Sequence, residues 1–318
     1  MVAAFAATNV PNAPFPAPGA GPGLLGAPSR ARNVLGAGNA HSLGERARSL
    51  LLCHPSTMLT VRAHAKINWS LRITGKRADG YHDLETLFQT ISLHDTLTFA
   101  ESDHLSLTCD DPIVPVDERN LVLRAARALG SPPFAIALHK EIPSGGGLGG
   151  GSSDAAATLT ALGHPPLNEI ALALGSDVPF FLTGGTAYAT GRGEILTPMP
   201  PLAGIPLLLL MPKERVSTAR AFGRLQRFSP PLGVDRYRQM IDGDFLAQPD
   251  LINDFEEPIF SMLPGLRMLK DRLYETGAAW AAMTGSGSTI VGAFRSAAGR
   301  DAARGRFEGV RVVSAETI

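Results

Sequence analysis

At 318 residues the chain is long enough for two domains, each with its own core. Basic and acidic residues number 29 each, so no overall field favours a nucleic acid or a membrane surface as partner. Two cysteines, Cys53 and Cys109, make neither a disulfide framework nor a metal motif, and apolar runs such as Leu207–Met211 are too short to span a bilayer.

Residues 1–57 are dominated by Ala, Pro and Gly, carry Glu45 as their one acidic residue and show no sustained periodicity. Such a segment is expected to be a disordered extension without a core. Arg30, Arg32, Arg46 and Arg48 also fit an organelle transit peptide. The segment lacks the serine richness of many such peptides, so a flexible tail, or translation from Met58, is preferred. With the reduced-cysteine pattern this predicts a cytoplasmic protein.

From Leu59 to Ile73 the residues alternate as one or two strands, with Lys66 and Asn68 on one face because side chains two apart point the same way. Thr74–Gly80 is turn chemistry. Tyr81–Leu93 leads to a further strand at Asp95–Phe99, and Glu118–Leu129 has helical apolar spacing stopped by Gly130. Phe134–Ile142 alternates as a strand, with Phe134, Ile136 and Leu138 on one face.

Then comes Pro143-Ser-Gly-Gly-Gly-Leu-Gly-Gly-Gly-Ser-Ser-Asp154, running into the helix formers Ala155–Leu162, with Ser152, Ser153 and Asp154 where an N-cap belongs. Strand, glycine loop and helix in that order leave backbone N–H groups bare at the positive end of a helix dipole, which makes a phosphate pocket. The alternative is a flexible linker, which a strand and a capped helix would not normally frame. The loop is not a P-loop, because no lysine occurs between Lys140 and Lys213. The spacing Gly145-x-Gly147-x-x-Gly150 satisfies the loose dinucleotide pattern. However, Asp177, at about the required distance, precedes Val-Pro-Phe-Phe instead of ending a strand. An acid against so apolar a run is either an N-cap or a partly buried functional group.

The prolines of Pro198–Pro201 break regular structure and divide the chain into expected domains at 58–197 and 198–318. Beyond them, Leu207–Met211 reads as a buried strand, and Ala219–Phe228 and Pro258–Thr276 as helices. Ala278–Met283 and Ile290–Phe294 form a hairpin-like pair around Thr284-Gly-Ser-Gly-Ser288.

The run Pro143-x-x-x-Gly147-Leu-Gly-Gly-Gly-Ser-Ser-Asp-Ala-Ala156 resembles the signature of the GHMP kinases, the family of galactokinase, homoserine kinase, mevalonate kinase and phosphomevalonate kinase. Further stretches narrow the resemblance: Ala65-Lys-Ile-Asn68, Gly75–His82, Asn120–Ala126, Gly175–Phe180, Gly191–Glu194 and Met283–Ser288. Together, from residue 61 to about 295, they are similar to the branch that phosphorylates the 2-hydroxyl of 4-diphosphocytidyl-2-C-methyl-D-erythritol (CDP-methylerythritol) in the non-mevalonate route to isoprenoids.

The resemblance implies an α+β fold, with an S5 domain 2-like N-terminal domain and a ferredoxin-like C-terminal one. It implies ATP as co-substrate with Mg²⁺, and a monomer or weak homodimer. By position, Asp177 is the implied base, and Lys66 beside it holds it ionised. Asn68 is implied near the reacting hydroxyl, and Tyr81 and His82 as the cytosine-binding pair. Thr218 is implied at the substrate, and Phe222 stacked on cytosine, although the proline often found between these two is replaced here. Gly285 and Gly287 would approach the substrate phosphates.

For ATP, Asn120 and Lys140 match adenine-side contacts, and Pro143, Gly145, Gly146, Gly147, Leu148, Gly149, Gly150, Gly151, Ser152 and Ser153 match the phosphate loop. Ser152 is the implied metal ligand, while Asp154 either helps the metal or caps the helix. On the residues alone, His82 also reads as a turn histidine, Phe222 as core and Thr284–Ser288 as a bare turn. The connectors Gly163–Asn168 and Gly130–Phe134 are shorter than many relatives carry. Alternative functions are a mevalonate- or homoserine-type kinase, a non-catalytic ligand-binding relative, and a dinucleotide-dependent oxidoreductase.

Overall fold

The computed structural model of the chain describes residues 58–163 and 167–318. The expected extension, 1–57, lies outside the described residues, as do 164–166 of the shortened connector.

The chain opens with a long antiparallel hairpin, β1 (Leu59–Lys76) and β2 (His82–Glu101), turned at Asp79-Gly80. Next come β3 (Ser106–Cys109), α1 (Leu121–Ala128), β4 (Phe134–His139), α2 (Gly150–Leu162), α3 (Asn168–Leu174), α4 (Val178–Thr183), β5 (Thr186–Thr190) and β6 (Ile195–Pro198). These strands make one six-stranded sheet in which β1 lies on one edge of β2, while β4 and β5 share the other. That shared edge explains why 82–101 is a single strand instead of the two segments expected: its first half pairs with β5 and its second half with β4.

The second sheet follows, with β7 (Pro206–Met211), α5 (Thr218–Phe222), α6 (Val234–Asp242), α7 (Glu256–Met262), α8 (Pro264–Glu275), β8 (Trp280–Met283), β9 (Ile290–Ala293), α9 (Ala297–Arg304) and β10 (Arg311–Glu316). Its order, β10-β7-β9-β8, is that of a ferredoxin-like βαββαβ unit. One face, with Leu207, Leu209 and Val291, packs on Ala65, Ile67 and Trp69 of β1, so one apolar core joins the two sheets. The other face, with Leu208, Leu210 and Ile290, is covered by α7 and α8.

Three further elements differ from expectation. Strand β4 ends at His139, because Asp95 takes the N–H groups of Glu141 and Ile142 that a longer strand would pair. The helix expected over Ala219–Phe228 stops at Phe222; beyond it Ser229 donates to the carbonyl of Ile73, so the chain runs along β1 instead. The helix expected over Pro258–Thr276 is two, α7 and α8. Pro264 offers no N–H and disfavours a helical residue before it, and Leu263 sits at φ −131°, ψ 74°.

Candidate active site

The site begins in β1. From residue 65 to 73 its apolar residues alternate with Lys66, Asn68, Ser70 and Arg72, and all nine are buried. Register shifts fall on both sides of the Lys66–Asn68 stretch, between His64 and Lys66 and between Asn68 and Ser70. Such irregularities re-aim side chains and are common beside functional sites.

Lys66 Nζ donates to Asn68 Oδ1 at 2.6 Å and lies 3.9 Å from Asp177 Oδ2. The Asp177 side chain is 35% exposed and that of Lys66 only 5%. Burial pulls the Lys66 ammonium below its usual pKa, and the Asp177 carboxylate opposes that pull. Asp177 occupies the N-cap position of α4, but its side chain makes no cap bond there. Its carboxylate faces Lys66 and the space beside Gly193.

The first glycine loop crosses the end of this strand. Its backbone alternates: φ is +75° at Gly145, +81° at Gly147 and +73° at Gly149. The carbonyls of Gly146, Leu148 and Gly149 accept from Thr289, Lys66 and Ser153. Among the described residues, no N–H of 145–149 donates to another group. Carbonyls engaged inward and N–H groups left free form an anion nest, extended by the unpaired first-turn donors of α2.

The helix itself starts earlier than expected, at Gly150, with Gly149 as its cap residue and no side-chain cap. Ser152, Ser153 and Asp154 are therefore inside the helix. A glycine with positive φ turns the chain without a capping side chain, which corrects the expectation that these residues occupy the cap. The Ser153 hydroxyl donates to the carbonyl of His64 at 2.6 Å. The Ser152 hydroxyl oxygen lies 4.0 Å from where a Cβ on Gly175 would sit, in the turn that carries Asp177.

Asn120 and Lys140 have other occupations in this structure. Asn120 caps α1, accepting from Val122 N–H at 2.9 Å and donating to Pro115 O at 2.7 Å. Lys140 Nζ is buried between Asp95 and Asp154. Burial alone would lower the Lys140 pKa, but the two carboxylates outweigh it and raise it. Burial pushes the Asp154 carboxyl up to about 7, with Lys140 opposing and Asp95 adding to the rise.

The second glycine loop meets the first backbone to backbone. A Cβ on Gly147 would stand 2.1 Å from Thr284 O, so only glycine fits there. Asn68 Oδ1 accepts from Gly285 N–H at 3.1 Å, and Asn68 Nδ2 donates to Thr86 Oγ1 at 2.8 Å. From the other side Asn253 Nδ2 donates to Met283 O at 2.6 Å and Gly285 O at 2.9 Å. Gly287 N–H donates to Thr284 O. Thr218 Oγ1 reaches Ser286 Oγ at 3.1 Å, bringing α5 onto the same loop.

Beside it, His82 and Phe222 stack with ring centroids 4.6 Å apart and planes 18° apart. A base between them would need about 7 Å, two van der Waals contacts. The Tyr81 ring is 53% exposed and carries the Arg192 guanidinium 4.6 Å from its centroid. A separate cavity of 720 Å³ runs between β1, α2 and the 181–185 turn; neither Lys66 nor Asp177 lines it.

Sequence reasoning did not single out Asp95, Asn253 or Thr284. All three are buried polar residues, and Asn253 opens the largely polar run Asn253-Asp-Phe-Glu256.

Comparison with known proteins bears on the whole arrangement. The family model for the GHMP kinases N terminal domain matches residues 120–185, and that for GHMP kinases C terminal matches 237–309. A 4-diphosphocytidyl-2-C-methyl-D-erythritol kinase of Chlorobium phaeobacteroides (strain BS1) is 43% identical over 254 residues, 74% of this chain and 89% of the relative. A chloroplastic protein of the same name from Arabidopsis thaliana is 40% identical over 261 residues, 75% of this chain and 68% of that protein.

Among solved structures, a 4-(cytidine 5'-diphospho)-2C-methyl-D-erythritol kinase superposes with a TM-score of 0.71 at 33% identity, covering 81% of this chain and 99% of the other. The homoserine kinase of Cytophaga hutchinsonii shares the fold, at a TM-score of 0.60 and 19% identity, over 84% and 95% of the two chains. With two glycine loops interlocked over a buried lysine and a half-open aspartate, and with these relatives matched over most of its length, the chain belongs to the GHMP kinases, in the family of the 4-diphosphocytidyl-2-C-methyl-D-erythritol kinases.

Proposed function

We propose that this chain transfers the γ-phosphate of ATP to the 2-hydroxyl of 4-diphosphocytidyl-2-C-methyl-D-erythritol, with Asp177 as base and Lys66 assisting. The observation that carries the roles is the pairing of Asp177 with a buried ammonium at 3.9 Å, next to a loop of free N–H groups. The hydroxyl oxygen attacks the γ-phosphorus, its proton passes to the Asp177 carboxylate, and ADP leaves with the bond electrons. Lys66 keeps that carboxylate ionised until the hydroxyl arrives. It also draws charge from the attacking oxygen.

The N–H groups of Gly145 to Gly151 and Ser152 receive the triphosphate, with Pro143 packed at the loop's start and Leu148 anchoring it from its middle. Leu148 is buried and Pro143 packs 3.2 Å from where a Gly146 Cβ would be, which supports that division. Asn68 positions the second loop, where Gly285 and Gly287 admit the substrate phosphates closely and Thr218 adds a hydroxyl. For the cytosine, Tyr81 and His82 are the binding pair and Phe222 stacks on the base, its ring parting from the His82 ring it now covers. Asn120 fixes the start of α1 on the adenine side.

Mg²⁺ takes one or two protein oxygens and completes its shell with phosphate and water. The residues fit that habit: Ser152, in the first turn of α2, offers one hydroxyl beside the turn that carries Asp177. Among the described residues no cluster of three or more His, Cys, Asp or Glu makes a protein-only cage. When bound, the ion would neutralise charge on the β- and γ-phosphates.

Residues 58–197 work as the N-terminal, ATP-binding domain and 198–318 as the C-terminal domain of a cytoplasmic monomer or weak homodimer, a reading supported by the sheet break after Pro198 and the cysteine usage. Among the described residues no helix is long and apolar enough to cross a membrane.

The test is ATP consumption by the purified chain with the cytidine substrate, against mevalonate and homoserine, for wild type and Asp177→Asn. Turnover with the cytidine substrate alone, reduced about 10²–10⁴-fold in the variant, is expected. Turnover with mevalonate or homoserine instead would remove the cytosine pocket, and an undiminished Asp177→Asn would remove the base.

A further inference from the structure

Three ionisable side chains lie buried beneath the first glycine loop, and the phosphoryl-transfer chemistry leaves them without a part. Asp95 on β2 is fully buried. Its Oδ1 accepts from the N–H groups of Glu141 (2.6 Å) and Ile142 (2.8 Å), the residues that lead into the loop. Its Oδ2 pairs closely with Lys140 Nζ. The same Nζ donates at 2.8 Å to Asp154 Oδ2, on α2 just past the loop. It also lies 3.3 Å from where a Gly150 Cβ would sit. One ammonium and two carboxylates thus tie the entry and the exit of the loop to the same point on the sheet.

The loop needs such a tie. Glycine has the greatest backbone freedom of any residue, and N–H groups kept free for an anion cannot hold their own loop in shape. Two of the three donors of Lys140 are taken by carboxylates. A buried ion cluster is seldom more stabilising than apolar residues of the same volume, so geometry is the better reason for its presence.

We propose that Asp95, Lys140 and Asp154 are positioning residues that hold the first glycine loop in the shape that receives the nucleotide phosphates, with Lys140 acting from below the loop and not by touching the nucleotide. The inference rests on the loop being the ATP site.

The test is a double-mutant cycle in the full chain with Lys140→Met and Asp154→Leu, read as KM for ATP, kcat, KM for the cytidine substrate and calorimetric titration with ADP. Lys140→Met is expected to weaken ATP and ADP binding about 10²-fold, as displacement of a binding loop does, with kcat and the other KM changed only a few-fold. The double variant should bind no worse than the single one, since the second change removes nothing further. Asp154→Asn, which keeps an acceptor for Lys140, should bind within a few-fold of wild type, and it tests the idea even if Lys140→Met fails to fold. Multiplying losses in the cycle would mean that Lys140 contacts the nucleotide and would overturn the proposal, as would ADP binding by Asp154→Leu equal to wild type. A wild-type chain that binds neither nucleotide would sink the kinase reading and this inference together.

Discussion

In the first glycine loop, carbonyls bond inward to Thr289, Lys66 and Ser153, while the N–H groups of 145–149 find no partner among the described residues. In the second, the N–H groups of Thr284, Gly285 and Gly287 bond to Thr289 O, Asn68 Oδ1 and Thr284 O. Both loops are glycine-rich and they press on each other, yet among the described residues the first keeps the whole run of 145–149 N–H groups free, whereas the second keeps only those of Ser286 and Ser288. The difference lies in the neighbours. A helix follows the first loop and supplies more free donors, whereas a hairpin closes the second and two asparagines clamp its backbone. Glycine serves close approach where the two loops meet, at Gly147 and Gly285, and in the first loop it also leaves the backbone donors bare.

Changes at the shared contact and then in each loop separately would break or sharpen that contrast. Gly147→Ala is expected to be the most damaging, because its Cβ would overlap Thr284 O and φ is +81°. A loss of about 2–5 kcal/mol in thermal or urea unfolding, with kcat/KM for both substrates reduced, would show the loops are one unit. A near-neutral variant would mean that they separate easily. Asn253→Ala acts on the second loop and not on the first, leaving Met283 O and Gly285 O without their buried donor and Phe255 N–H, at the start of α7, without its acceptor. It should cost about 2–3 kcal/mol in unfolding while ADP binding stays near wild type. If ADP binding falls as well, the first loop depends on the second for its shape.

Gly151→Ala acts on the first loop in the opposite sense. A Cβ there meets nothing within 4 Å and the residue is helical, so stability should rise by about 0.4–1 kcal/mol and KM for ATP should stay within a few-fold. A large rise in KM would show that the nucleotide uses the open space and not only the N–H. The smallest effect belongs to His139, an exposed residue at the end of β4 whose pKa is raised by its bond to Asp110. A raised folded-state pKa adds stability that is present below the unfolded value and is lost as pH rises through the folded one. His139→Gln should therefore lower the melting temperature slightly at pH 5 and not at pH 9. Equal shifts at both values would point to packing instead.

Much of the site could be read from the residues. The strand, glycine loop and helix around 134–162 are local facts, set by alternation, by glycine and by helix formers, and the kinase family was legible in motifs running from Ala65 to Ser288. The errors were also local in cause. The α2 cap was placed on Ser152 to Asp154 because those residues usually cap, but a left-handed Gly149 turned the chain first. For Lys140, matched to a nucleotide contact, no local pattern showed that its ammonium pairs with Asp95, 45 residues earlier, and with Asp154.

What the sequence determined alone was short-range: which segments are strands and helices, where the chain turns, and that a bare glycine backbone opens a helix. Backbone sterics and hydrophobic periodicity act over a few residues and are written into the order of the chain. Tertiary structure decided which polar groups remain free. Whether a given N–H, carboxylate or ammonium has a partner depends on residues far away in sequence, such as Asp95 beneath Lys140 or Asn68 against Gly285. In a buried site almost every polar group is satisfied by something, so the few left open are chosen by packing.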